Sequence, residues 1–219
     1  QQYIDALTLR DIKELSNIHS LESIPKLLEA IAGQSSRLLN VSKLASFFEL
    51  SRPTVKEYLT LLEFIFLTER LPAYHNNRLR RLIKTPKVHL VDSGITGALL
   101  GVSPQTLKND RSLYGQLVES FVYQELRRQS TWVEPELKFS HYRDKDKVEI
   151  DIVLERPGGG TCGVEVKASS TVKLSDFKGL KRLRDNHAQF ICGVVVYDGD
   201  KVLSFGDKLS AVPVCNLLY

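Results

Sequence analysis

The 219-residue sequence predicts a mixed α/β chain, α+β overall, in two parts. Three observations carry that reading. Helical spacing of apolar residues dominates as far as about residue 68 and includes a helix, a tight turn and a second helix opening on Ser51-Arg52-Pro53-Thr54. After residue 113 the order becomes helix, three strands, helix, two strands. Two of those strands, Val148–Leu154 and Gly163–Lys167, carry an acid inside an apolar run. With 42% hydrophobic residues, the chain can bury one large core or two small ones.

The elements follow in order. Tyr3–Leu15 puts Ile4, Leu7, Ile12 and Leu15 on one helical face. Ser23-Ile24-Pro25 opens a helix running to about Gly33, with proline in the first turn, where its missing N–H costs little. Ser42–Glu49 fits a short helix, and Thr54 to about Thr68 a long one with Val55, Leu59, Leu62 and Phe66 on one side. Leu71-Pro72-Ala73-Tyr74 and Arg78–Lys84, around Asn76-Asn77, read as the two extended arms of a wing. Lys87–Asp92 is a short apolar strand and Ile95–Leu100 a brief helix. Gly101–Asp110 is polar, contains Pro104 and reads as a linker, which divides the chain into a helical winged helix-turn-helix over 1–100 and a second domain over 101–219.

In the second part, Leu113–Arg128 is a strong helix and 137–142, 148–154, 163–167, 190–197 and 201–205 are strands. Pro157-Gly158-Gly159-Gly160 joins two of them into a hairpin. Leu174–Asn186 is an amphipathic helix, and the apolar run Ile191–Tyr197 suits a strand buried on both faces. The expected product is a mixed central sheet flanked by helices.

The formal charge of +4 permits a nucleic-acid partner without arguing for one. Cys162, Cys192 and Cys215 are odd in number and lack metal spacing, so they read as reduced thiols of a cytoplasmic protein. No apolar run reaches membrane-spanning length and no signal-peptide pattern is seen. The chain opens on Gln1-Gln2 and contains no methionine, which suggests a piece of a longer protein.

The chemistry concentrates in the hairpin. Alternation puts Glu165 and Lys167 on one face of their strand. If the neighbouring strand brings Asp151 beside them, two carboxylates and a lysine meet. Asp151 and Glu165 could then hold Mg²⁺ or Mn²⁺, which would lower the pKa of a bound water, and Lys167 could orient that water at a phosphodiester. Glu119, on the helix Gly115–Val122, borders its apolar face and can point back at the sheet. The plainer alternatives are a solvated strand face with a cross-strand ion pair for Glu165-Val166-Lys167, and a structural ion pair between Asp151 and Lys167. His89, inside a strand, reads as a core histidine.

A helix-turn-helix would set Ser51, Arg52, Thr54 and Lys56 toward a major groove. Arg78, Arg80, Arg81 and Lys84 would contact phosphates, six basic residues and no acid lying between Arg70 and Lys87. Docking a protein is the competing use of such a module, and Glu57 and Glu63 weigh against a groove.

Glu119, Asp151 and Glu165-Val166-Lys167 together resemble the PD-(D/E)XK, or restriction-endonuclease-like, nuclease core. Across almost the whole chain the sequence resembles the C-terminal region, of unknown function, of bacterial and archaeal AAA-type ATPases. Leu9–Ile12, Ser42–Ala45, Thr54–Leu59, Lys84–Val88, Asp92–Gly94, Gly115–Glu119, Tyr142-Arg143 and Gly163–Ser169 carry that resemblance. It implies a winged helix followed by an endonuclease-like domain, with Glu119, Asp151, Glu165 and Lys167 as its catalytic set. It also implies an ATPase module upstream as partner, which alone would handle ATP, since this sequence has no phosphate-binding Gly-x-x-x-x-Gly-Lys-Ser/Thr. The functions to weigh are a metal-dependent DNA nuclease, an inactive nuclease-fold module that binds DNA or a protein and regulates the ATPase, and a docking domain. None requires a membrane, and an oligomer is compatible with each.

Overall fold

The structure, a computed structural model, describes residues 23–75 and 84–218. The expected helix Tyr3–Leu15, and Arg78, Arg80 and Arg81, lie outside the described residues. Helix α1 (Ser23–Ala32) buries Ile24, Leu27, Leu28 and Ile31, one stripe at helical spacing. Strand β1 (Arg37–Leu38) and helix α2 (Val41–Phe47) follow. Helix α3 (Arg52–Phe64) is capped by Ser51, whose side chain accepts from the Thr54 amide, with proline in the first turn.

Helix α3 ends earlier than the expected Thr68. Phe66 takes a left-handed φ of 56° and turns the chain, so that Thr68 starts strand β2 (Thr68–Leu71). β2 and β1 both pair antiparallel with β3 (Lys87–Leu90), giving the order β1-β3-β2. These elements enclose one core, with Leu28, Leu59, Leu62, Val88 and Leu90 at its centre. The second wing arm expected around Asn76-Asn77 lies largely outside the described residues, and β2 begins three residues before the first.

Asp92 caps helix α4 (Ser93–Leu99) by accepting from the Ile95 amide at 2.8 Å. The expected linker at 101–110 contains a helix, α5 (Pro104–Asn109). Ser103 and Thr106 cap it reciprocally and Pro104 occupies its first turn. Helix α6 (Arg111–Val133) begins directly after it.

The second sheet has the order β4-β5-β6-β7-β9-β8. Its strands are β4 (Lys138–Arg143), β5 (Glu149–Glu155), β6 (Thr161–Lys167), β7 (Phe190–Tyr197), β8 (Leu203–Ser204) and β9 (Leu209–Pro213). β4, β5 and β6 run antiparallel, and β6, β7 and β9 run parallel. The sheet is therefore mixed. The β5–β6 hairpin turns where expected, with left-handed Gly158, Gly159 and Gly160 at φ of 80°, 115° and 103°. β9 was not read from the sequence, and the expected strand 201–205 shortens to two residues.

Helices cover both faces. Val118, Val122 and Tyr123 of α6 pack with Ile152, Val164 and Val166. Helix α7 (Lys178–Asn186), preceded by a 3₁₀ turn at Leu174–Phe177, packs Leu180 and Leu183 with Ile150, Val153 and Val195. α7 approaches so closely that a Cβ at Gly179 would collide with the Glu149 carbonyl oxygen.

The two sheets meet across α6 through a polar seam. The Ser120 hydroxyl lies 2.8 Å from that of Ser35 and 2.9 Å from that of Ser36. Gln124 donates to the Leu90 carbonyl at 3.3 Å, and Arg127 pairs with Glu69 at 3.0 Å. At the sheet edge the His141 amide donates to the Pro72 carbonyl at 2.9 Å. Among the described residues no helix is long and apolar enough to cross a membrane.

Candidate carboxylate–lysine site

A bulge in β5 creates the site. Ser140 pairs with Val153 but Tyr142 with Ile150, so Asp151 and Ile152 together oppose His141. Ile150 and Val153 stay in the α7 core while Ile152 enters the α6 core. Asp151 goes with Ile152 toward α6. Its Oδ2 accepts from the Val166 amide at 3.0 Å, bonding the backbone of the neighbouring strand with a side chain.

Asp151 Oδ1 accepts instead from Lys87, at 2.9 Å, and the same ammonium donates to Glu119 Oε1 at 2.6 Å. Lys87 is the first residue of β3, in the other sheet, and its side chain is only 7% exposed; those of Glu119 and Asp151 are 16% and 12% exposed. Sequence reasoning missed it. Lys87 counts in the sequence as the start of a strand and the end of a basic stretch, and its contact with Asp151 spans 64 positions.

Glu165 and Lys167 share a face as expected, with Lys167 Nζ donating to Glu165 Oε1 at 2.8 Å. Glu165 Oε2 is buried without a partner. Three carboxylates and two ammonium groups thus lie in one region, drawn from α6, β5, β6 and β3.

Their titration reflects that crowding. Burial alone would lower the pKa of Lys87, but Asp151 and Glu119 lift it well above its ordinary value. Burial alone would raise Asp151, but Lys87 and the Val166 amide hold it below the ordinary carboxylate value. Glu165 is pushed up to about 8 by burial and by Asp151, against the pull of Lys167. Glu119 rises to about 8 for the same two reasons, against Lys87. His89 is lowered to about 3 by burial and by Lys87. It is the expected core histidine. Its Nδ1 lies 3.2 Å from the Ser120 hydroxyl, and its Nε2 has no partner, so the pair lacks the carboxylate of a nucleophilic triad.

The donor set can be tested against a divalent ion. Both oxygens of Asp151 and one of Glu119 are already bonded, and an ammonium stands between these two acids. With all three carboxylates ionised, two ammonium groups leave one negative charge. A divalent ion beside Lys87 would overshoot neutrality in a buried place. Among the described residues no three His, Cys, Asp or Glu side chains are grouped to hold a metal. As arranged, the site fits the ammonium and not Mg²⁺ or Mn²⁺.

The helix-turn-helix residues are separate from this site. Arg52 and Lys56 are exposed on α3, and Thr54 sits beside the Ser51 hydroxyl at 2.7 Å. Lys56 and Lys84 line one cleft of about 820 Å³ with Arg70. Lys84 also borders a second cleft, of about 740 Å³, with Arg143, Lys145 and Arg182.

The two halves match different family models. Residues 1–106 match a domain of unknown function, DUF8612, and residues 114–217 match another, DUF4143. Lys87 falls in the first match and Glu119, Asp151, Glu165 and Lys167 in the second. Uncharacterized proteins of Mycobacterium tuberculosis (Rv2008c) and Mycobacterium bovis (Mb2031c) are each 23% identical over 99% of this chain. The chain spans 47% of their length. Among solved structures, a chain from the Thermococcus gammatolerans assembly of McrB AAA+ hexamers with bound McrC aligns with a TM-score of 0.34 and 13% identity, over 85% of this chain and 46% of that one. By sequence, then, the first half of this chain is similar to the domain of unknown function DUF8612 and the second half to DUF4143.

Proposed function

We propose that the chain is the DNA-contacting accessory part of an AAA-type ATPase, a winged helix over 1–100 joined to an endonuclease-like domain over 101–219 that binds DNA without cutting it. The observation that carries this is the pairing of Glu119 and Asp151 with a cation the protein itself supplies, Lys87, alongside the Glu165–Lys167 pair. The acids and lysine of a nuclease core come together, but the cation between two of them is an ammonium, which cannot activate water as a metal does.

The topology supports both halves of the reading. The order α1-β1-α2-α3-β2-β3 with strands arranged β1-β3-β2 suits a winged helix. A helix, three antiparallel strands, a helix and a parallel strand suit an endonuclease-like core. The clefts that share Lys84 also carry Lys56 and Lys145, which offer a path for a phosphate backbone, while Arg70, Arg143 and Arg182 there are paired with acids. An ATPase partner rests on the sequence resemblance, and the mycobacterial relatives have as much sequence again in which to hold one.

The test uses purified protein and duplex DNA. Expected is a gel shift that weakens with salt and is lost in Lys56→Glu/Lys84→Glu, with the DNA intact in Mg²⁺ or Mn²⁺. Cleavage that disappears in Asp151→Ala and Lys167→Ala would overturn the non-cutting reading. A second reading, a metal-dependent nuclease using Mg²⁺ or Mn²⁺, is favoured by the unpartnered Glu165 Oε2 beside Lys167.

A further inference from the structure

Outside the carboxylate–lysine site, two thiols meet on the second sheet. Cys162 of β6 and Cys192 of β7 are register partners in neighbouring parallel strands, and both are half-buried free thiols. Simple strand alternation would not bring them together. Cys162 shares the α6 face with Val164 and Val166. Phe190 packs in the α7 core, so strict alternation would send Cys192 to that face as well. The pairing shifts between Thr161–Phe190 and Cys162–Cys192, which leaves Ile191 as an extra residue. That bulge moves Cys192 onto the α6 face with Val194 and Val196 and sets it directly beside Cys162.

The spacing suits a bond that forms and breaks. Neighbouring strands lie about 4.7–4.9 Å apart, within the span of about 4.4–6.8 Å that a disulfide bridges between Cα atoms. The Cβ atoms of directly opposed parallel residues stand at about the strand spacing, beyond the ~3.8 Å of a relaxed disulfide. A bond here must therefore draw β6 and β7 together, which makes it easier to reduce than a permanent staple. The Cys192 thiol donates to the Cys162 sulfur, and with the Arg156 guanidinium this holds Cys162 at about 7 against the effect of burial. The same bond raises Cys192 and keeps it protonated. Cys215 differs from both: it is exposed, in the 3₁₀ turn Val214–Leu218, and donates at 3.5 Å to the side-chain oxygen of Asn216 beside it.

We propose that Cys162 and Cys192 form a reversible oxidation site, in which Cys162 reacts with hydrogen peroxide and Cys192 resolves the product to an intramolecular disulfide. The site does not depend on the DNA-contacting reading. In the first step the Cys162 thiolate attacks one peroxide oxygen. The S–O bond forms, the O–O bond breaks and the other oxygen leaves as hydroxide, so that sulfur gives up two electrons and peroxide takes them. In the second step the Cys192 sulfur attacks the sulfenic sulfur of Cys162. The S–S bond forms, the S–O bond breaks, and the departing hydroxyl leaves as water with the Cys192 proton. In sum, two thiols and one hydrogen peroxide give one disulfide and two waters. A reducing dithiol reverses the change by exchange.

The test treats the reduced protein with stoichiometric hydrogen peroxide, alkylates the remaining thiols and maps the tryptic peptides by mass spectrometry. Trypsin places the three cysteines on separate peptides. Expected are loss of two of the three thiols, a peptide pair joined through Cys162 and Cys192, and recovery of both thiols with dithiothreitol. In Cys192→Ser the resolving thiol is gone, so Cys162 should stop at the sulfenic acid and be trapped by dimedone. Cys162→Ser should leave Cys192 reduced, and Cys215→Ser should behave as wild type. The wild-type map decides by itself should a serine variant fail to fold. An unchanged thiol count, oxidation of Cys215 ahead of the pair, or disulfides formed only between molecules would each overturn the proposal.

Discussion

Replacing Lys87 with methionine tests the site through stability. Methionine keeps an unbranched chain of similar length and deletes the charge. Of the two acids left behind, 16% and 12% exposed, Glu119 is pushed up to about 8 and holds its proton at pH 7, while Asp151 stays charged and too buried for water to take over fully from the ammonium. Removing one member of such a buried set costs about 3–5 kcal/mol. For a protein of this size each kcal/mol moves the melting temperature by about 2–4 °C, so a fall of roughly 6–20 °C is expected at pH 7. Neutralising the partners as well should reverse most of the loss. In Lys87→Met/Glu119→Gln/Asp151→Asn no charge is stranded, and Asn still offers an oxygen to the Val166 amide. The triple variant should lie within about 1 kcal/mol of wild type, since apolar or neutral replacement of a whole buried ion set is often close to neutral. Urea unfolding followed by circular dichroism measures all three proteins. A single variant that loses less than about 1 kcal/mol, or a triple variant less stable than the single one, would refute the reasoning.

Three further outcomes follow from the same geometry. Glu165 keeps its proton to about pH 8 when folded but loses it near 4.5 when unfolded, so its contribution is full below about 4.5 and declines as pH rises through 8. Glu165→Gln should therefore gain on wild type in stability as pH rises from 5 to 8, by about 1 kcal/mol or more; a difference that stays flat in urea titrations at the two pH values would contradict this. Gly179→Ala should cost about 1–3 kcal/mol by pushing α7 off β5, checked by thermal unfolding, and a neutral result would mean that the contact with the Glu149 carbonyl is looser than described. Cys162 and Cys192 are cross-strand neighbours, and a hydrogen bond from the Cys192 thiol brings Cys162 down to about 7 while Cys192 is raised; iodoacetamide at pH 7 should label Cys162 ahead of Cys192 in a peptide map, and the reverse order would rule out that arrangement.

Much of the fold was legible because its signals are local. Ser51 with Pro53, and the glycine run at 158–160, act within a few residues of themselves, and the elements they start or turn lie where expected. The pairing of Glu165 with Lys167 needed only strand alternation. The misses have local causes too. Ser103-Pro104 with Thr106 is a helix start, overlooked because the surrounding polarity suggested a linker. The end of α3 depends on a left-handed Phe66, a conformation its bulky side chain does not advertise. β9 is short and ends on Pro213. The role of Lys87 was the least legible. A lysine flanking an apolar strand is usually solvated, and only the docking of β3 against α6 and β5, across 32 and 64 positions of chain, reveals its partners. The β5 bulge was equally invisible, because it exists only in the register with β4.

The split of this site across two family matches constrains how such proteins can diversify. Lys87 belongs to one match, and the acids it neutralises belong to the other. A recombination that exchanged the first half for one without a lysine at the start of β3 would leave buried Asp151 and Glu119 without their cation, and an exchange of the second half for one without the acids would strand an ammonium. Charge neutrality at this site therefore ties the two halves of this chain to one another. Lineages that lose the lysine should be those in which the acids have changed as well, or in which the pocket has found another cation.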